Sequence, residues 1–259
     1  MKIITIFLAA TIGSFASTGI VASDTKNNSN NGQNLSSTQA IPNLGDDASV
    51  SEDAAPKNTT KEFDSEYLSL VSKIQQNPDA VDFNEFRWTY TRTKFYRPYS
   101  GPEKGHRVLL REALVEKKWA DCIAMAETIL AYNYTSLSAH YGAMACHKNA
   151  LKGDKETSHK TTLNKLLDAI LATGDGKTKE TAFVTISTGE LRAFVELLGH
   201  DIVSREKIEE KDAVYDLINV KLRDTGKEAA LYFNISRQWS VGQRDMGDLI
   251  TPIKSSLRR

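Results

Sequence analysis

Residues 173–199, TGDGKTKETAFVTISTGELRAFVELLG, are where the chain changes character. Gly174 and Gly176 permit the positive φ of a helix C-cap or turn, so the helices before them are expected to stop here. Ala182-Phe183-Val184-Thr185-Ile186 is a short continuous run of the kind a buried strand shows. Ser187 followed three residues later by Glu190 is a capping box, predicting a helix whose Leu191, Phe194, Val195 and Leu198 share a face, closed by Gly199.

Downstream, two alternating segments follow. Ile218, Val220 and Leu222 point one way in the first, as do Leu231, Phe233 and Ile235 in the second, with Asp224-Thr225-Gly226 as the hairpin turn between them. A weaker strand pattern covers Ile202 to Ile208.

Upstream, from Phe63, the period is helical. Trp119, Ile123, Ala126 and Leu130 fall on one face; Leu137, Tyr141, Met144 and Leu151 fall on the next, after an Asn133-Tyr134 turn. Leu163, Leu166, Leu167 and Ile170 point inward from a third helix. Short turns between such helices make antiparallel hairpins, and Ala139, Gly142, Ala143 and Ala150 allow a close approach. Trp119 and the small-residue second helix are similar to a tetratricopeptide unit, of which only about one and a half can be counted.

The order predicts an α+β fold. Antiparallel, tetratricopeptide-like helical hairpins occupy 62–173. A small, mostly antiparallel sheet with one intervening helix, packed on the helices, occupies 174–249, and 250–259 form a flexible tail. Cys122 and Cys146 fall at nearly the same height on one hairpin; a disulfide and a pair of buried free thiols both remain open.

Residues 1–23, MKIITIFLAATIGSFASTGIVAS, have the basic start, apolar stretch and small-residue end of a secretory signal peptide. Residues 24–61 are rich in Asn, Ser, Thr and Asp without an aromatic, and read as a disordered linker. The 33 basic and 33 acidic side chains of the 259-residue chain balance, which argues against chain-wide affinity for nucleic acid or an anionic membrane. Beyond the leader no segment has the ~20 apolar residues that a membrane span needs.

Motifs for chemistry are sparse. Gly174-Asp175-Gly176-Lys177-Thr178 lacks the first glycine of a phosphate loop and leaves a helix for a strand, the reverse of that loop's order, so a cap and turn is the favoured reading. Asp175 with Glu180 is a minor candidate for Ca²⁺. His140 and His147 stand two turns apart, about 10 Å, too far to share one ion; they and His159 read as semi-buried packing histidines. No nucleophile elbow is present and no carboxylate pair stands out. The most unusual stretch, 86–99, interleaves Phe86, Trp88, Tyr90, Phe95, Tyr96 and Tyr99 with Arg87, Arg92, Lys94 and Arg97. Packing with snorkelling charges is the favoured reading. The alternative is a polar–aromatic groove built by Arg87, Tyr90, Tyr96 and Tyr99 for a sugar or an acidic group.

Several motifs together carry a family resemblance. They are Asp82-Phe83, Thr89-Tyr90-Thr91-Arg92-Thr93, Tyr96, Pro98-Tyr99, Ala139-His140-Tyr141, Gly174-Asp175-Gly176-Lys177-Thr178, Glu180-Thr181-Ala182-Phe183-Val184 with Ile186-Ser187, and Leu231-Tyr232-Phe233-Asn234-Ile235. In this order they resemble the bacterial exported family catalogued as domain of unknown function 4919, over roughly Asp82 to Ile235. A departure is Lys211-Asp212-Ala213, where the resemblance implies a polar segment containing histidine. The family implies export and no established activity.

The expected function is that of an exported (periplasmic or secreted) non-catalytic module presenting a surface to a protein or an envelope glycan. It needs no cofactor or metal, meets no nucleic acid, and has no membrane span in the mature chain. The alternatives are a periplasmic hydrolase-type enzyme with a site between the helical and sheet parts, and an immunity or inhibitor protein.

Overall fold

The structure is a computed structural model that describes residues 59–99 and 103–243. The expected leader (1–23), nearly all of the expected linker (24–61) and the expected tail (250–259) lie outside the described residues. Residues 59–61, read as linker, are helical: α1 (Thr59–Gln76) starts three residues before the expected boundary. Its buried Tyr67 and Ile74, two turns apart, supply the packing that composition alone did not show.

A 3-10 turn at Pro78–Ala80 leads to α2 (Phe83–Tyr90), capped by Asp82, whose carboxylate accepts from the Asn84 and Glu85 N–H groups. Then come α3 (Glu103–Val115), α4 (Trp119–Tyr132), α5 (Leu137–Asn149) and α6 (Gly153–Leu171), packed in sequence order. The aromatic rings of α1 and α2 interlock, with Tyr67 stacked on Phe86 at 5.4 Å between centroids.

In the α4–α5 hairpin the small-residue face is the buried one, as expected, and Gly142 has a particular reason to be glycine. A Cβ there would lie 2.9 Å from the Leu110 side chain of α3. Two details differ from the sequence reading. The inner face of α4 is Cys122, Ala126, Ile129 and Leu130, with Trp119 and Ile123 only half-buried. Leu151 is not on the inner face of α5; it lies beyond the helix end, exposed, in a turn where its φ is 58°. Cys122 and Cys146 are joined as a disulfide between α4 and α5, their Cα atoms 6.2 Å apart.

The second part is a four-stranded mixed sheet with strand order β1-β4-β3-β2: β1 (Phe183–Val184), β2 (His200–Glu209), β3 (Val214–Leu222) and β4 (Glu228–Asn234). The run 182–186 forms only a two-residue strand, parallel to β4; the other pairs are antiparallel. α7 (Thr188–Leu197) sits between β1 and β2, closed by Gly199 at φ 81°. Phe183, Phe194 and Phe233 pack edge-on and tilted against one another, which fastens α7 to the sheet. Residues 236–243, where no helix was read, are helical and bury Gln238 and Val241. The whole is α+β, with helices first and the sheet after.

Candidate functional site

The segment 86–99 does not form an open groove. Arg87, Tyr90 and Tyr96 are buried at 1%, 2% and 3% exposure, because each has a partner in the core. The Arg87 guanidinium donates from Nε to Glu190 Oε1 and from Nη2 to Glu190 Oε2, both at 2.9 Å, and from Nη2 to the Val184 carbonyl at 2.8 Å. The Tyr96 hydroxyl donates to the Ile186 carbonyl, and burial pushes its phenol pKa up, so the proton stays in place. Tyr90 packs edge-on against Tyr96. Of the four residues expected in a groove, only Tyr99 reaches the surface, at 39% exposure.

Tyr99 stands instead at the rim of a small polar cleft, together with Arg97, Arg107, Asn133, Thr135 and the first residues of α5 and α7. Local chemistry builds each wall. Ser136 caps α5, its hydroxyl accepting from the Ala139 N–H. Ser187 caps α7, accepting from the Glu190 N–H at 3.0 Å. The Glu190 arm of the capping box accepts from the Ile186 N–H at 2.7 Å, one residue earlier than the usual reciprocal contact, through the same Oε2 that takes one prong of the Arg87 pair. The Pro98 carbonyl accepts from Thr188 through both its N–H and its hydroxyl, which staples the segment carrying Arg97 and Tyr99 to α7.

Two helix N-termini therefore meet at one cleft, and several donors in its lining have no partner among the described residues. The Leu137, Ser138 and Gly189 N–H groups have no acceptor among the described residues. Asn133 is 8% exposed; its Oδ1 accepts from the Thr135 N–H at 3.0 Å and from the Thr135 hydroxyl at 2.6 Å. A backbone N–H can only donate, so that contact fixes the oxygen's place and leaves Nδ2 as a donor without a partner among the described residues. Arg107 pairs with no carboxylate among the described residues. Its Nη1 lies 2.3 Å from the position that a Cβ on Gly189 would take, so the guanidinium rests directly on the α7 backbone. Glu190, the lining's carboxylate, is already engaged by Arg87 and by Ile186.

The other candidates resolve into structure. The Asp175 oxygens are taken up by groups of the same loop, Lys177 and Thr181. Oδ1 accepts from the Thr181 hydroxyl and the Lys177 N–H, and Lys177 Nζ sits 2.8 Å from Oδ2, which together hold the carboxyl well below its usual range. Among the described residues no group of three or more His, Cys, Asp or Glu is placed to hold a metal ion. The three histidines are more deeply buried than the sequence suggested and touch one another. His140 Nε2 donates to the Tyr134 carbonyl at 2.9 Å, which makes His140 Nδ1 the acceptor of a proton from His159 Nδ1 at 3.1 Å; His147 stacks on His159. Burial lowers the His140 pKa to about 3 and that of His159 to about 4. His140 secures Tyr134, the residue between Asn133 and Thr135.

Residues 55–244 match the family described as Domain of unknown function (DUF4919). The chain belongs to that family. No curated protein and no solved structure matches it. Within this DUF4919 chain, the residues of the cleft that sequence reasoning passed over are Arg107, Gly189 and the Asn133 amide. Ser187 and Glu190 were read only as a helix start, and Arg97 only as one charge among several.

Proposed function

We propose that this chain is exported and acts as a non-catalytic recognition domain, its tetratricopeptide-like hairpins and sheet presenting the Tyr99 cleft to a protein or a glycan of the cell envelope. The leader-like residues 1–23 support export. Recognition is supported above all by one observation: a half-exposed aromatic ring, Tyr99, lines a polar cleft whose arginine, amide and backbone donors lack partners among the described residues. Such donors lose hydrogen bonds unless water or a ligand satisfies them. No described helix is long and apolar enough to cross a membrane.

The test has two parts. N-terminal sequencing of protein recovered outside the cytoplasm should begin near Asp24; a chain beginning at Met1 contradicts export. Immobilised protein should capture an envelope component that Tyr99→Ala no longer retains while its circular dichroism is unchanged. Equal capture by both proteins contradicts recognition at the cleft.

A further inference from the structure

We infer that the cleft between the N-termini of α5 and α7 is an anion site, built to take one carboxylate, phosphate or sulfate group of a ligand. The inference deepens the recognition reading and rests on it for the identity of the partner. Four observations carry it. The positive ends of two helices converge there, with the Leu137, Ser138 and Gly189 N–H groups unpaired among the described residues. A guanidinium normally avoids a helix N-terminus, yet Arg107 lies across that of α7 with no carboxylate partner among the described residues. A second guanidinium, Arg97, lines the same cleft and gives only its Nη1 to the Lys94 and Tyr96 carbonyls. Finally, Asn133, more than nine-tenths buried, lines the cleft with its Nδ2 unpaired.

Positive ends, two cations and a free amide donor make a poor arrangement for the empty protein and a good one around an oxyanion. An oxyanion in the cleft would accept from donors of this kind and would offset the repulsion between Arg107 and the α7 terminus. A neutral sugar hydroxyl would accept hydrogen bonds but leave that repulsion in place. Gly189 is the specific permission for this geometry. It sits in ordinary helical backbone, so alanine costs nothing in φ, but its Cβ would displace the end of the Arg107 side chain.

The experiment is calorimetric titration of the full chain with sodium sulfate, inorganic phosphate and glucuronate at constant ionic strength, with amide NMR shifts as the second readout. Saturable binding with shifts at Ser138 and Gly189 is expected. Arg107→Ala should weaken it by about tenfold, as loss of a charged hydrogen-bond donor would. Gly189→Ala should weaken it comparably while keeping the fold. Arg192→Ala, an exposed arginine further along α7, should bind as the wild type does. The three probes rank the phosphate, sulfate and sugar-acid sources of the group. Absence of saturable binding by all three, or equal affinity in Arg107→Ala, overturns the inference. If capture of the envelope component still depends on Tyr99 in that event, the recognition reading survives without it. If the anions bind but capture ignores the cleft, the anion site stands and the recognition reading falls.

Discussion

Arg87 and Glu190, 103 residues apart in sequence, form a two-pronged ion pair in the interior, at 2.9 Å on each prong, and it joins α2 to the start of α7. A buried charge is tolerable only with its partner present. Arg87→Met should therefore lower unfolding free energy by about 3–5 kcal/mol, because the buried Glu190 is left charged without its cation, keeping only the Ile186 N–H. Arg87→Met with Glu190→Leu should recover much of that loss. Urea denaturation of the three variants and the wild type measures it; a single variant within about 1 kcal/mol of wild type would contradict the assignment.

The Cys122–Cys146 bridge closes a loop with a sequence separation of 24. Mass spectrometry after alkylation without reduction should find no modified cysteine. Cys122→Ala with Cys146→Ala should cost about 3 kcal/mol, and reduction of the wild type should reproduce that loss.

The turn at 174–176 needs its glycines for two different reasons. A Cβ at Gly174 would lie 2.1 Å from the Thr181 carbonyl oxygen, a backbone atom that cannot step aside, and Gly176 has φ 69° with the Phe183 ring against it. Both Gly174→Ala and Gly176→Ala should destabilise by about 1–3 kcal/mol, with Gly174→Ala the more severe. Thermal melts of the two variants decide it; an unchanged midpoint for Gly174→Ala would refute the close approach.

The histidine cluster predicts acid sensitivity of a definite sign. His140 titrates at about 3 in the folded chain and at about 6.5 when unfolded. Between those values the unfolded chain binds the extra proton, so stability is complete above pH 6.5 and falls as pH drops toward 3. At pH 5 this group alone should remove about 2 kcal/mol, and the lowered His147 and His159 act in the same direction. Urea midpoints at pH 7.5 and pH 5 test it. Equal stability at both would mean that the imidazoles are not buried as a neutral group.

Much of the architecture is legible in the chain because it depends on local rules. The turn around Gly176, the Ser187 cap, the Gly226 hairpin and the small face of α5 all follow from spacing and backbone preference, although α6 itself already ends at Leu171, with Ala172 rather than a glycine as its C-cap. The cleft is less legible because its parts are brought together only by the fold. Arg107 reaches α7 from α3, and Asn133 comes from the α4–α5 turn. The burial of Arg87 depends on a partner 103 residues away, so in sequence it cannot be told from a surface arginine such as Arg97. The helix at 236–243 was missed because its inward residues include Gln238, a polar side chain that breaks the apolar period.

The most direct measurement places a photo-crosslinking amino acid at Tyr99 and, separately, at Trp88, which is almost equally exposed at 41% against 39% but lies outside the cleft. Both chains are irradiated in native cells and the adducts are identified by mass spectrometry. The recognition account predicts a discrete adduct at residue 99 and none at residue 88. Adducts of the same kind at both positions, or at neither, would contradict it.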